Sequence, residues 1–221
     1  MTVARQLALA LPHAENFSRE DFLTGESNAP ALSLIEHWPD WPDRALAIVG
    51  PEGAGKSHLA SIWADIAGAR RVSARALRET NLPAALATGA LVIEDATGDL
   101  DERALFHLLN LMRQQAAFVL MTTTTAPATW RVELADLASR LRAIPTVDLR
   151  APDDALLRAV MVKLFADRQL AVDEALIAYL SPRIERSVAA ARAAVEDLDR
   201  EALRQKRPVT RALAAELLGQ A

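Results

Sequence analysis

The sequence predicts an α/β fold, a five-stranded parallel sheet with helices on both faces, followed by a small all-α domain. Three observations carry that expectation. Short apolar runs at 45–49, 90–93 and 118–121, with weaker ones at 71–73 and 146–149, alternate with helical periodicity. That is the pattern of parallel strands buried on both faces. After the first run comes Gly50-Pro51-Glu52-Gly53-Ala54-Gly55-Lys56-Ser57, which meets the phosphate-loop pattern G-x-x-x-x-G-K-[ST] at every fixed position. Beyond Ala151-Pro152-Asp153-Asp154 no strand pattern recurs.

Taken in order, residues 1–16 read as an extended arm. Within it, Gln6-Leu7-Ala8-Leu9-Ala10-Leu11 has two readings. One is the start of a strand or helix; the other is a linear motif in which Gln6, Leu7, Leu9 and Leu11 plug a pocket on a partner. Segment 17–28 has Phe17 and Phe22 as its apolar points, and 31–37 reads as a short helix. Trp38-Pro39-Asp40-Trp41-Pro42 is a proline-locked connector whose tryptophans serve packing. Ala45-Leu46-Ala47-Ile48-Val49 is the first strand, and 58–64 belongs to the helix after the loop. Arg70-Arg71 reads as a solvated connection opening a short second strand at 71–73. A helix ends at 84–87, Thr88-Gly89 turns, and Ala90-Leu91-Val92-Ile93 is a third strand finishing on Glu94-Asp95.

Residues 101–115 form an amphipathic helix with Leu105, Leu108, Leu109 and Met112 on one face. Phe118-Val119-Leu120-Met121 runs into Thr122-Thr123-Thr124-Thr125, Pro127 turns the chain, and 146–149 is the fifth strand. Helices then come at 154–169, 173–183 and 187–205, with Thr210 capping a last one through 218. The expected organisation is an arm at 1–16, an α/β nucleotide-binding domain at 17–150 and a helical lid at 151–221.

The chemistry starts from the loop. Its glycines let the backbone wrap an anion, and the N–H groups of loop and helix N-terminus point at phosphates. Lys56 sits against the outer phosphates and the Ser57 hydroxyl binds Mg²⁺. Acidic residues ending a buried strand downstream of such a loop handle the metal and the attacking water, which selects Glu94 and Asp95. The threonines at the fourth strand's tip either hydrogen-bond a phosphate or water, or cap the next helix. A net charge of −4 argues against a broad nucleic-acid footprint, though not against a local basic face. The absence of cysteine excludes disulfides and thiolate metal sites, and the four histidines have no ligand spacing. No run approaches a membrane span, and the apolar stretch before Pro12 is too short for a signal peptide, so a cytoplasmic protein is expected.

A phosphate-loop α/β domain with a helical lid resembles the AAA+ proteins, and several motifs narrow the resemblance. Segment 17–28, with its Phe-x₄-Phe-x₂-Gly-x-Ser-Asn spacing, is similar to a motif of the DnaA replication-initiator family that lies near the adenine. The loop at 50–57 with His58-Leu59 after it, the arginine-finger-like Asp136-Leu137-Ala138-Ser139-Arg140-Leu141, the junction Pro152-Asp153-Asp154 and the lid's Leu198-Asp199-Arg200 resemble the same family. This likeness spans roughly residues 6–218. The given chain carries neither the initiator's DNA-reading helix-turn-helix domain nor its N-terminal domain, and Gln6–Leu11 resembles a sliding-clamp-binding motif. That combination resembles the Hda class of DnaA-related regulators.

The resemblance implies ADP or ATP with Mg²⁺ as cofactor, held by residues 50–58 (Pro51, Glu52 and Ala54 included) together with Phe22, Asn28 and, from the lid, Arg192. A second alignment of that lid helix puts Ala189 where the arginine should be. It implies the DnaA initiator and the polymerase sliding clamp as partners, with no sequence-specific DNA binding, no membrane, and a homodimer as one expected state. Its implied activity is regulatory: Arg140, supplied in trans, stimulates hydrolysis of initiator-bound ATP. The chain's own ATPase is expected to be weak. If Glu94 takes the metal position, Asp95 is the base; if Asp95 takes it, the base position falls on Ala96. The strand-tip polar residue is Thr124, where the family uses Asp or Asn. The alternative is a helicase-loader-like or adaptor protein of the same fold at the origin.

Overall fold

The computed structural model describes residues 17–219 and divides into two units, 17–151 and 152 onwards. The arm with Gln6, Leu7, Leu9 and Leu11 lies outside the described residues.

The first unit is built on five parallel strands: β1 (Ala45–Val49), β2 (Arg70–Ser73), β3 (Ala90–Ala96), β4 (Phe118–Thr123) and β5 (Thr146–Asp148), in the order β2-β3-β4-β1-β5. Because successive side chains point to opposite faces, each central strand feeds two cores. Ala45, Ala47, Leu91, Ile93, Val119 and Met121 enter one; Leu46, Ile48, Ala90, Val92 and Leu120 enter the other. The first core is covered by a 3₁₀ segment (Ala74–Glu79) and by α3 (Leu82–Ala85), α4 (Glu102–Gln114) and α5 (Ala135–Ala143). The second is covered by α1 (Ala29–Glu36) and α2 (Lys56–Ala67), with Trp41 stacked on the fully buried Trp63 at 5.0 Å. The connector tryptophans are therefore packing residues. Full burial of the three middle strands explains why they read as continuous apolar runs, while the edge strands β2 and β5 are largely exposed and read weakly.

Two local expectations are corrected. α1 starts at Ala29, ahead of the expected 31, because Pro30 suits a helix's first turn. Arg70 and Arg71 are exposed as expected, but Arg70 belongs to the strand and not to the connection before it. Both residues lie within β2, and Arg71 is tied to its neighbours.

The second unit holds α6 (Asp154–Asp167), α7 (Glu174–Leu180), α8 (Val188–Gln205) and α9 (Arg211–Leu218) around a core of its own, centred on Phe165, Leu176, Val195, Leu198 and Leu213. Each helix begins on a side-chain cap. Asp153, Asp173, Ser187 and Thr210 each accept an N–H three residues on, satisfying one of the donors a helix start leaves open. Among the described residues no helix is long and apolar enough to cross a membrane.

Candidate functional site

The strand order puts the site where it is. β1 sits between β4 and β5, while the chain leaves it to form β2 at the far edge, so the sheet's connections diverge beside β1. Ligands of open parallel sheets bind beyond the carboxyl ends of the strands at such a point. Register levels the neighbouring ends: Val49 lies opposite Thr123 and Asp148, and Thr123 lies opposite Ala96. The loop at 50–57, the pair Glu94-Asp95 and the threonines 123–125 thus meet at one end of the sheet.

Two glycines are demanded by the loop's path. A Cβ on Gly50 would come within 2.3 Å of the Leu149 carbonyl oxygen, and Gly55 has φ +102°, which L side chains rarely adopt. The backbone N–H groups of Gly53, Gly55, Lys56 and Ser57 make no hydrogen bond among the described residues. Four neighbouring donors, at the start of a twelve-residue helix with its positive dipole end, form an anion cradle. Lys56 is 7% exposed, and its ammonium donates to the carbonyls of Gly50 at 2.9 Å and Pro51 at 2.8 Å. Burial pushes its pKa below the usual 10.5, against the opposing pull of the negative charges of Asp95 and Glu52.

The two acids at the end of β3 have separated. Register slips between Ile93 and Ala96, a bulge that places one extra residue on β3. Asp95 takes φ +54° there, a conformation Asp tolerates better than most, and its N–H donates to Thr122 Oγ1 at 3.0 Å. Its carboxylate is exposed and acts electrostatically on Lys56. Glu94 faces the other strand. Arg71 Nε donates to Glu94 Oε1 at 2.7 Å, and Arg71 Nη1 donates to the buried Ser61 hydroxyl at 2.6 Å.

At the tip of β4, Thr123 turns its hydroxyl inward, donating to the Thr125 carbonyl at 2.9 Å, and the Trp130 indole also donates to Thr125. Thr124 is exposed, with no side-chain hydrogen bond among the described residues.

Segment 17–28 wraps the loop helix through His58. Phe17 and Phe22 meet the His58 ring edge-on at 5.2 and 5.0 Å, and His58 Nε2 donates to the Ser18 carbonyl at 2.8 Å. Asn28 is buried and occupied with its own turn, accepting from Gly25 N–H and donating to the Leu23 carbonyl. Arg192 is half-buried on α8, one turn from the exposed Ala189.

Arg140 stands apart from these, in the last turn of α5. Its guanidinium lies 4.7 Å from the centroid of the Phe106 ring, and its Nη1 is buried with no hydrogen-bond partner among the described residues.

Among the described residues no three or more His, Cys, Asp or Glu side chains cluster as a metal site. A Mg²⁺ ion accompanying a nucleotide needs less, since phosphate and water oxygens supply most of its six ligands. The Ser57 hydroxyl and the Asp95 carboxylate offer the hard oxygens it takes, whereas Glu94 is committed to Arg71.

A parallel sheet with an anion cradle at its diverging strand ends defines a phosphate-loop nucleotide-binding module. The AAA domain model matches residues 46–186, and the chain belongs to that family. Among curated proteins none matches by sequence. Among solved structures, the chain is similar to domain III of the replication initiation protein DnaA from Thermotoga maritima (TM-score 0.75, 17% identity, 92% of this chain and 96% of that one). It also resembles AMPPCP-bound DnaA from Aquifex aeolicus (TM-score 0.63, 18% identity, 81% of this chain and 64% of that one). The Holliday-junction branch-migration motor RuvB from Thermotoga maritima has the same fold (TM-score 0.70, 16% identity, 91% and 70%).

Proposed function

We propose that this chain is a DnaA-related AAA+ regulator of the Hda type, cytoplasmic, which binds adenine nucleotide and stimulates hydrolysis of the ATP held by the DnaA initiator. One contrast carries the reading. Glu94, one of the two candidates for the metal position, is held by Arg71, which also reaches Ser61, while Arg140 lies against Phe106 with no ion pair among the described residues. A site with one of its two acids occupied, beside an arginine left without an ion pair, suits a protein that acts on a partner's nucleotide.

In this reading the amides of Gly53, Gly55, Lys56 and Ser57 bind the phosphates of ADP or ATP, and Lys56 exchanges its carbonyl partners for phosphate oxygens. Ser57 and Asp95 hold Mg²⁺, which when bound neutralises phosphate charge. Phe22 and His58 wall the base side of the loop, Asn28 braces that wall from behind, and Arg192 is the lid contact. Thr124 supplies a hydroxyl without an acid's charge. With Asp95 on the metal the base position falls on Ala96, so the bound nucleotide sets shape more than it turns over. Arg140, presented to the initiator, stabilises charge developing on the transferred phosphoryl, an effect worth roughly a thousandfold or more in rate. Gln6, Leu7, Leu9 and Leu11 dock the chain on the sliding clamp.

The test is hydrolysis of DnaA-bound ATP on clamp-loaded DNA, with and without this protein. Strong stimulation is expected from the natural sequence, and its loss in both Gln6→Ala and Arg140→Ala. Undiminished stimulation by Gln6→Ala removes the clamp motif from the reading. No stimulation by the natural sequence leaves an adaptor that binds without catalysing.

A further inference from the structure

Arg140 is a long, flexible side chain near the end of a nine-residue helix, and the contact that orders it comes from α4. Phe106 lies under the guanidinium, 4.7 Å from ring centroid to Cζ, and itself packs against the first core beside Leu137 and Leu141 of α5. A guanidinium held against a ring by a cation–π contact still has N–H groups of its fork to donate. That fork is the part that recognises phosphate oxygens. Nη1 is buried with no acceptor among the described residues, so it is the other N–H groups of this half-buried arginine that a partner could reach.

The helix carrying Arg140 is held from the same place. The N-cap position of α5 is Leu134, whose side chain has no acceptor to offer. Glu102, one turn before Phe106 on α4, takes over the cap: its two carboxylate oxygens accept the N–H groups of Glu133 at 2.8 Å and Leu134 at 2.9 Å. A carboxylate at a helix N-terminus also complements the dipole. Two residues four apart on α4 therefore fix α5 at its start and its arginine near its end.

We infer that Phe106 and Glu102 are positioning residues for Arg140: Phe106 presents the guanidinium edge to a phosphoryl group on a partner chain, and Glu102 fixes the helix that carries it. This rests on the proposed role of Arg140. Misplacing a catalytic group by about 1 Å costs on the order of a hundredfold in rate. Loss of the ring face should therefore act on the maximal rate and leave docking alone.

The test is the stimulated hydrolysis of DnaA-bound ATP, titrated with Phe106→Leu, Phe106→Tyr, Glu102→Ala and Arg140→Ala, with melting curves taken alongside. Phe106→Leu is expected to lower the maximal stimulated rate on the order of tenfold to a hundredfold at an unchanged half-saturating concentration. Phe106→Tyr, which keeps the ring, is expected to retain it, and Glu102→Ala to fall between. If Phe106→Leu does not fold, Phe106→Met carries the same comparison. A Phe106→Leu variant at the natural rate, or one altered only in half-saturating concentration, overturns the inference while Arg140→Ala still tests the underlying role. A Phe106→Tyr variant as poor as Phe106→Leu also overturns it. Full stimulation by Arg140→Ala removes the role of Arg140, and this inference with it.

Discussion

Lys56 and Arg140 are both half-hidden cations, and the chain treats them in opposite ways. Lys56 sits at a helix start, buried, with two carbonyls of its own loop occupying its ammonium. Arg140 sits at a helix end, its guanidinium 4.7 Å from the Phe106 ring centroid, with one buried N–H that has no acceptor among the described residues. The first arrangement is closed and needs a ligand only to exchange partners, which suits a nucleotide bound in cis. On the proposed reading the second is presented to a nucleotide on another chain.

The largest test of that contrast separates the two activities. Arg140→Ala should cut the partner's ATP hydrolysis by roughly a thousandfold and leave this chain's own nucleotide affinity unchanged in calorimetric titration. Lys56→Ala should do the reverse first, weakening nucleotide binding by about ten- to a hundredfold through loss of charged hydrogen bonds. A joint loss of both properties in either variant would erase the distinction.

The same contrast predicts a pH dependence for Lys56 alone. Its pKa in the free protein is lowered below 10.5 by burial, and phosphate oxygens favour the charged form. Affinity is therefore full below that lowered value and falls as pH rises through it towards 10.5. Titrations in alkaline buffer should show the decline, and Lys56→Arg, which stays protonated, should flatten it.

A smaller effect is structural. Gly50→Ala places a methyl against the Leu149 carbonyl at 2.3 Å, so β1 and β5 must shift. The expected loss is about 1–3 kcal/mol of stability, read in the melting temperature. An unchanged melting temperature would mean that the loop is less constrained than its contact implies.

The smallest concerns Arg71 and Glu94, partly exposed at 38% and 20%. Arg71→Ala should cost at most about 1 kcal/mol in stability, yet release Glu94 to take the metal position and leave Asp95 as the base. A measurable rise in the chain's own ATPase is the expected signature. No rise would show that Glu94 is not the restrained acid.

Much of this is legible in the residue order. The buried strands stand out at 45–49, 90–93 and 118–121 because both their faces are apolar, and the helix starts of the second unit are marked by Asp153, Asp173, Ser187 and Thr210. Gly50, Gly55, Lys56 and Ser57 stand in a fixed spacing because one turn of backbone builds the whole cradle. The contacts of Arg71 are not legible in the sequence because its partners Glu94 and Ser61 lie 23 and 10 residues away, brought to it by the β2–β3 register and by the packing of α2. Phe106 and Glu102 escape notice for a similar reason. On α4 they stand off the apolar face of Leu105, Leu108, Leu109 and Met112, and no periodicity marks a residue whose contacts are on another helix.

By itself the sequence determined the parallel α/β fold, the helical second unit and the anion-binding loop, since each depends on local pattern: strand hydrophobicity, caps, glycine spacing. The tertiary structure alone decided which acid faces Lys56, which is taken by Arg71, and what lies beneath Arg140. Those outcomes depend on register, on a one-residue bulge and on the packing of α4 against α5, all of them contacts between segments far apart in the chain.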